Sequence, residues 1–595
     1  MRLFRSFRRP PLLSAVLLLG FNCFGANAQE RSPNVMAWRG ERPVRARHGM
    51  VVSVHHLASD AGLDVLRAGG NAVDAAVATG FALAVVHPIA GNLGGGGFLL
   101  LRTHDGKSTF IDFREKAPLA ATETMYQDAK GNVIPDASTL GHRSIATPGS
   151  VAGLVYAEKK HGKLGLRRVM APAIKLAADG FTLTVEEAHE LTDSDLARFP
   201  ESRLLFQRNG RLYRAGEIFK QPELARTLQR IAADPEDFYH GKMAQQLVDD
   251  LKKGGSLITL EDLAQYNVIE RKPVEGTFHN YEIISAPPPS SGGIVLLSAL
   301  NILESYDLAH QGDRSAAWIH VVTEAYRRSY MDRAEYLGDP DYNPIPVSEL
   351  ISKRYAEAWR KSIQRDRASP SAGLKRPEGF LPAAPTTAGT LHKESPDTTH
   401  YSVVDEEGNA VAVTTTLNDS FGSHVTSASL GFLLNDEMDD FTAKLGEPNM
   451  YGLIQGPANA IAPGKRPLSA MTPTIILEKG KLRYVLGSPG GPRIITTVAN
   501  IFLSSAEGRL NIQEAVDAPR FHHQYLPDKL YLEPGFGQQI RSELSRMGYV
   551  IDVRDGHWSN GECIAVDPKT SGRPGPPQPL RQSFRLLRAV SHLRL

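Results

Sequence analysis

The chain has 595 residues, of which 42% are hydrophobic and 22% charged, with 67 Lys and Arg against 65 Asp and Glu. This is the composition of a globular protein. The near balance of charge excludes a generally basic nucleic-acid-binding protein, which needs an excess of Lys and Arg to neutralise phosphates. Residues 1–28 contain four Arg and no acid, so the formal charge changes from +2 to −2 without them.

These first 28 residues have the pattern of a secretory signal peptide. The arginines precede an apolar stretch from Leu12 to Phe21, and Ala26-Asn27-Ala28 matches an A-x-A cleavage site, which predicts cleavage before Gln29. The alternative is a membrane anchor, but the stretch has about ten residues where a spanning helix needs roughly 20. We therefore expect an exported protein, periplasmic or secreted.

Cysteine usage agrees with a fold held by its core. A lipid anchor on Cys23 is disfavoured because the residues before it, Phe21 and Asn22, are not small. After cleavage Cys563 is the one remaining cysteine, so no intrachain disulfide is possible even in an oxidising compartment.

The first predicted elements lie between residues 50 and 101. An apolar strand, MVVSVHH, is followed by a helical pattern from Ser59 to Gly69-Gly70. Asn71 as N-cap, with Asp74 three positions on, predicts a second helix that begins with a capping box. Its almost continuous apolar residues predict burial on most sides. A glycine-rich segment, 91–97, then leads into a strand from Phe98 to Leu101.

The middle of the chain has a different character. Residues 150–365 show mainly helical apolar spacing. Residues 368–397 contain five Pro with scattered Gly, Ser and Thr, which is typical of a linker or a mobile loop.

A β-hairpin is predicted directly after this loop. Residues 398–404 and 410–416 are β-rich, and residues 405–409 are typical of a turn. If these five residues form the hairpin loop, Val404 pairs with Ala410 and each pair of residue numbers sums to 814. This register places Thr398 opposite Thr416.

A glycine-rich turn is predicted between residues 487 and 492, after a strand at 482–486 and before a helix at 493–503. Such a turn delivers backbone N–H groups to a helix N-terminus, which suits an anion or an oxyanion formed during acyl transfer. The alternative is an ordinary Gly-Pro turn.

Several common site motifs are absent or incomplete. The segment 91–97 follows a helix and lacks G-x-G-x-x-G spacing, which disfavours a dinucleotide site, and Gly106-Lys107-Ser108 lacks the upstream glycine of a P-loop. There is no G-x-S-x-G elbow. His189-Glu190 lacks the second His of a zincin. The adjacent pairs His55-His56 and His522-His523 are poor metal ligands, because neighbouring residues on a strand point to opposite faces. We expect neither a metal nor an organic cofactor.

The segment from Asp397 to Asp405, DTTHYSVVD, closely resembles the γ-glutamyltranspeptidases, also called glutathione hydrolases. The resemblance extends over about residues 45–570. It includes the following segments: 91–98, 112–118, 416–418, 435–440, 465–469, 487–491 and 518–523.

The resemblance implies an α+β fold of the N-terminal-nucleophile hydrolase type, a four-layer αββα sandwich. It implies a precursor that cuts itself between Asp397 and Thr398 into a large subunit, residues 29–397, and a small subunit, residues 398–595. The two would form a heterodimer. A freed α-amino group has a pKa of about 7.7 to 8.0, so Thr398 would supply both nucleophile and base.

The resemblance also implies the other roles. Thr416 would orient Thr398, and Gly490 and Gly491 would form the oxyanion hole. Arg114 and Ser469 would hold the substrate α-carboxylate. The α-ammonium would be bound by three residues: Asn418, Glu437 and Asp440. The substrates would be γ-glutamyl compounds such as glutathione, with water, amino acids or peptides as acceptors.

The chain departs from the family pattern at two places. Many members have Ser-Ser where this chain has Ser469-Ala470, so one carboxylate-binding hydroxyl is missing. We expect altered affinity or substrate choice, as in related cephalosporin acylases. The tail 573–595 is atypical, with several Arg and no acid. A glutaryl or cephalosporin acylase of the same fold is the nearest rival, although Glu437 and Asp440 argue against a substrate without an ammonium. A periplasmic peptide-binding protein, which needs no cleavage, is the rival of another class.

Overall fold

The computed structural model describes residues 39–381, 398–450 and 452–567. The signal peptide, Asp397, Tyr451 and the tail from 573 lie outside these ranges. The strands are β1 (Met50–Ser53), β2 (Gly96–Arg102), β3 (Ser108–Phe113), β4 (Phe181–Thr182), β5 (Gln207–Arg208), β6 (Arg211–Leu212), β7 (Ile218–Phe219), β8 (Ile269–Arg271), β9 (Val274–Phe278), β10 (Tyr281–Ser285), β11 (Thr399–Val404), β12 (Ala410–Thr416), β13 (Thr474–Glu478), β14 (Lys481–Leu486), β15 (Phe521–His522), β16 (Leu530–Leu532), β17 (Ile551–Val553) and β18 (Ile564–Ala565).

The α-helices are α1 (His56–Arg67), α2 (Ala72–Val86), α3 (Ser150–His161), α4 (Leu166–Asp179), α5 (Val185–Glu190), α6 (Pro200–Phe206), α7 (Pro222–Ala233), α8 (Asp237–His240), α9 (Lys242–Lys252), α10 (Leu260–Ala264), α11 (Gly292–Leu303), α12 (Leu308–Gln311), α13 (Ala316–Tyr336), α14 (Val347–Leu350), α15 (Lys353–Arg360), α16 (Arg493–Ala506), α17 (Ile512–Asp517) and α18 (Gln538–Arg546). Within the described ranges, no helix combines the length and the apolar character needed to cross a membrane.

Two antiparallel sheets form the centre of the fold. One has the strand order β1-β11-β12-β2-β3-β8, and the other has β18-β14-β13-β10-β9. Alternate residues of β2 point to opposite faces. Phe98 and Leu100 pack against Ile475 and Val485 of the second sheet, whereas Leu99 joins the core beneath the helices on the other side. Both faces of the strand are therefore buried.

Helices cover the outer face of each sheet. Helices α1 to α4 and α7 share a core with the six-stranded sheet, and α11, α13, α15 and α16 share one with the five-stranded sheet. The layers are therefore helix, sheet, sheet and helix, which confirms the expected α+β sandwich. Every residue of α2 is buried, as its apolar run predicts, and Asn71 and Asp74 form the predicted capping box.

The hairpin has the predicted register. Val404 pairs with Ala410 and Thr399 with Thr415, so each pair of residue numbers sums to 814. The hairpin lies in the middle of its sheet, with β1 on one side and β2 on the other. A chain cut before Thr398 would therefore leave strands of both products hydrogen-bonded in one sheet.

Two predictions about local structure need correction. The first helix begins at His56 rather than near Ser59, because the side chain of His55 accepts a hydrogen bond from the Leu57 N–H and caps the helix. The region 150–365 also contains strands from β4 to β10. Of these, β10 pairs with β13, which is almost 200 residues away, so its neighbours are not visible in local spacing.

A buried carboxyl on α3 predicts a pH dependence of stability. Burial, followed by the nearby Asp74 carboxylate, raises the pKa of Glu158 from 4.5 to about 8. Because the folded state holds this proton more tightly, the stabilisation is complete below about pH 4.5 and is lost as the pH rises through about 8. We expect Glu158→Gln to raise the free energy of unfolding at pH 9 by about 1 kcal/mol.

Thermal unfolding of both proteins at pH 5 and pH 9 tests this expectation. The reason for the gain is that a neutral amide does not repel Asp74, whereas a charged Glu158 does. The variant should lose less stability than the parent between the two pH values. Equal losses in the two proteins would contradict the assignment.

Candidate active site

A single cavity brings together most of the predicted site residues. It is lined by Arg114, Arg333, Thr398, Thr416, Asn418, Glu437, Asp440, Leu453, Ser469, Ala470, Met471, Gly491, Pro492 and Ile494. Of the predicted residues in the described ranges, only Gly490 is not among them. The lining residues come from both sides of the predicted cut, so neither segment forms the site alone.

Thr398 lies at the start of the hairpin, where strand pairing holds it beside Thr416. It is buried, and its Oγ1 lies 3.2 Å from the Oγ1 of Thr416. The Thr416 hydroxyl in turn accepts a hydrogen bond of 2.8 Å from the Asn418 N–H. The predicted opposition of the two threonines is therefore confirmed, and the chain beyond β12 holds the second hydroxyl in place.

Arg114 is fully buried at the end of β3 and is surrounded by carboxylates. Its guanidinium donates to Glu437 Oε1 and Asp440 Oδ2, and to Glu115 Oε2 at 3.4 Å. Burial alone would lower the pKa of Arg114, but these three carboxylates outweigh burial and raise it. Arg114 is therefore charged at any pH at which the protein is folded.

Two of the acids beside Arg114, Glu115 and Glu437, hold their protons more tightly than usual. Burial raises the pKa of Glu115 to about 7, and it raises the pKa of Glu437 as well. Glu115 Oε1 and Glu437 Oε2 are buried and have no hydrogen-bond partner in the described chain. Three acids thus face the single cation Arg114, and protonation of one of them relieves their repulsion.

Asn418 adopts a left-handed backbone conformation with φ of 86°. Its amide donates to the backbone oxygen and the carboxylate of Asp436, both at 3.2 Å. Asp436 itself is buried, which raises its pKa. Asn418 therefore reaches the cavity in an orientation set by Asp436.

The glycine-rich turn lies where the sequence predicts it. Gly490 and Gly491 have φ of 127° and 54°, which L side chains rarely adopt, and α16 begins two residues later. Within the described residues neither glycine N–H donates a hydrogen bond. Gly491 lines the cavity beside Thr398, so this turn can offer an N–H donor to an oxyanion.

Ser469 and Ala470 complete one wall. The Ser469 hydroxyl accepts a hydrogen bond of 3.1 Å from the Met471 N–H, and Ala470 lines the cavity without a polar group. Leu453 contributes an apolar side chain to the cavity lining.

Arg333 is the charged residue of the cavity lining that the sequence did not predict. It lies on α13, and nothing in its local spacing distinguishes it from the other arginines of that helix. Helix α13 packs against the core of the five-stranded sheet. This tertiary packing, and not its local sequence, brings Arg333 to the cavity.

Comparison with known proteins shows similarity over most of the chain. The family model Gamma-glutamyltranspeptidase matches residues 58–580. The glutathione hydrolase proenzyme of Escherichia coli (strain K12) is 45% identical over 558 residues, 93% of this chain and 94% of that protein. That of Pseudomonas sp. (strain A14) is 49% identical over 498 residues, 83% of this chain and 84% of that protein.

Solved structures are similar as well. A cephalosporin acylase from Bacillus halodurans has a TM-score of 0.76 at 28% identity, covering 89% of this chain and 94% of that one. The γ-glutamyltranspeptidase of Helicobacter pylori has a TM-score of 0.56 at 44% identity, covering 57% of this chain and 99% of that one.

Proposed function

Because this chain belongs to the γ-glutamyltranspeptidase family and is an enzyme of the glutathione hydrolase type, we propose that Thr398 is its nucleophile, freed by cleavage after Asp397. The observation that carries the proposal is the contact between the Thr398 and Thr416 hydroxyls in a cavity that also holds Arg114, Asp440 and Gly491. Cleavage would give a large subunit, residues 29–397, and a small subunit, residues 398–595, that remain together as a heterodimer.

Cleavage matters chemically because it creates the base. In the uncut chain the nitrogen of Thr398 belongs to an amide and cannot accept a proton. After the cut it is an α-amino group, which accepts the proton of the Thr398 hydroxyl near neutral pH. Thr416, 3.2 Å away, orients that hydroxyl.

The reaction proceeds in two acyl transfers. The Thr398 oxygen attacks the γ-glutamyl carbonyl carbon, and the resulting oxyanion accepts hydrogen bonds from the N–H groups of Gly490 and Gly491. The amide bond then breaks, the leaving amine takes the proton from the α-amino group, and the γ-glutamyl group stays on Thr398 as an ester. Water or an amino acceptor attacks this ester and restores the free threonine.

The charges in the cavity support a zwitterionic substrate. The substrate α-carboxylate binds Arg114 and Ser469, and its α-ammonium binds Glu437, Asp440 and Asn418. Arg114 is paired with two of these acids, Glu437 and Asp440. A substrate that supplies both charges can replace these ion pairs, since its carboxylate pairs with Arg114 and its ammonium pairs with the acids. A glutaryl group brings only a carboxylate and would leave the buried acids without a cation.

Hydrolysis of two matched anilides tests this assignment. We expect kcat/KM for γ-glutamyl anilide to exceed that for glutaryl anilide by about 100-fold or more, since an uncompensated buried charge costs several kcal/mol. An anilide release assay at neutral pH measures both. A preference for the glutaryl compound would overturn the proposal in favour of the acylase.

The physiological setting is also a proposal. Residues 1–28 support export to the periplasm or the medium, with glutathione and related compounds as substrates and amino acids or peptides as acceptors. Neither a metal nor an organic cofactor takes part in the mechanism proposed here.

A further inference from the structure

Arg333 is a buried cation in the active-site cavity, and its hydrogen-bond partners in the described part of the chain are neutral. It is 2% exposed, its Nε donates to Ser291 Oγ at 2.9 Å and its Nη1 to Gln455 Oε1 at 3.5 Å. Among the described residues no carboxylate oxygen lies within 4.0 Å of it, and its Nη2 has no acceptor. Both partners are neutral, so its charge is not compensated by direct contact.

Neighbouring arginines show how unusual this is. Arg327 and Arg328 lie on the same helix and are equally buried, but both pair with Glu324. A buried guanidinium without a counter-ion is costly, and burial lowers the pKa of Arg333, although the charge of Asp440 works in the opposite direction. Such an uncompensated cation in a substrate cavity is suited to an anionic ligand.

The partners of Arg333 place it near one part of the substrate. The Ser291 hydroxyl that accepts from Arg333 donates to the carbonyl oxygen of Ser469 at 2.7 Å. The Ser291 hydroxyl thus bridges Arg333 and the backbone of Ser469. The hydroxyl of Ser469 is proposed to hold the α-carboxylate. Ala470, which follows, provides no hydroxyl at this wall.

We propose that Arg333 is a second binding residue for the α-carboxylate of the γ-glutamyl group. Arg114 already contacts three acids, which partly neutralise its charge, whereas Arg333 contacts none among the described residues. The substrate carboxylate can therefore form an ion pair with Arg333 and act as its counter-ion. This interaction offsets the loss of the hydroxyl at Ala470. The inference rests on the proposed function, since it assigns part of that substrate to a residue.

The test compares two anilides in Arg333→Gln and the parent protein. 4-Aminobutyryl anilide keeps the amino group of the γ-glutamyl compound but lacks the α-carboxylate. We expect the KM for γ-glutamyl anilide to rise by about 10- to 100-fold with kcat changed less than about 3-fold, and kcat/KM for 4-aminobutyryl anilide to stay within about 3-fold. Equal losses on both substrates, or an unchanged KM for the first, would overturn the inference.

Two further variants separate binding from folding. Arg333→Lys keeps the charge and should show a smaller rise in KM, again only for the substrate with the carboxylate, so it replaces the first variant if Arg333→Gln does not mature. An equal rise in KM for both anilides in Arg333→Lys would overturn the inference. Arg328→Gln, on the same helix, should lower the melting temperature without distinguishing them. If the parent protein cleaves neither anilide, the proposed function itself fails.

Discussion

Replacing Thr398 by alanine is expected to leave the protein as one chain and to abolish its activity. The hydroxyl that attacks is lost, and without it the bond before residue 398 does not break, so the α-amino base is not created either. We expect kcat to fall by at least about 10,000-fold. Denaturing mass spectrometry and N-terminal sequencing should show two chains in the parent protein, the smaller beginning Thr-Thr-His-Tyr-Ser, and one chain in the variant.

Thr398→Ser is the matched control because it keeps a hydroxyl in the same place. It should still be cut and should retain measurable turnover, since its Oγ can lie beside Thr416 as that of threonine does. Turnover of γ-glutamyl anilide by uncut Thr398→Ala protein would contradict the assignment of the nucleophile. So would a parent protein that remains intact and active.

The sequence predicts the hairpin and its consequences well because these are local. The five-residue turn sets the register of β11 and β12, and the register alone brings Thr398 to Thr416. The capping box at Asn71 is equally local. Recognition of the family motifs supplied the remaining predicted residues, and the cavity contains all those in the described ranges except Gly490.

What the sequence does not predict depends on distant contacts. The pairing of β10 with β13 joins segments far apart in the chain. The ion pairs of Arg114 with Glu437 and Asp440 cross between the segments before and after Thr398. Arg333 enters the cavity only because α13 packs behind the second sheet. Residue spacing within one segment does not predict contacts between segments that are distant in the chain.

Removing the charge of Arg114 is expected to damage both stability and substrate binding. Arg114→Gln leaves the buried Glu437 and Glu115 and the partly exposed Asp440 without their cation, and breaking a buried ion pair in this way costs about 3 to 5 kcal/mol. The same change removes the proposed partner of the α-carboxylate. We expect kcat/KM for γ-glutamyl anilide to fall by about 1,000-fold or more, and the melting temperature to fall with it.

A second substitution separates the two effects. In Arg114→Gln/Glu437→Gln one acid is removed together with the cation, so much of the lost stability should return. We expect kcat/KM to stay low, because the guanidinium and the Glu437 carboxylate, both proposed to bind the substrate, are absent. Arg114→Lys keeps the charge but not the two-pronged donor geometry, so it should be stable and still impaired in KM. Recovery of activity together with stability in the double variant would mean that Arg114 only balances the buried acids and does not bind the substrate.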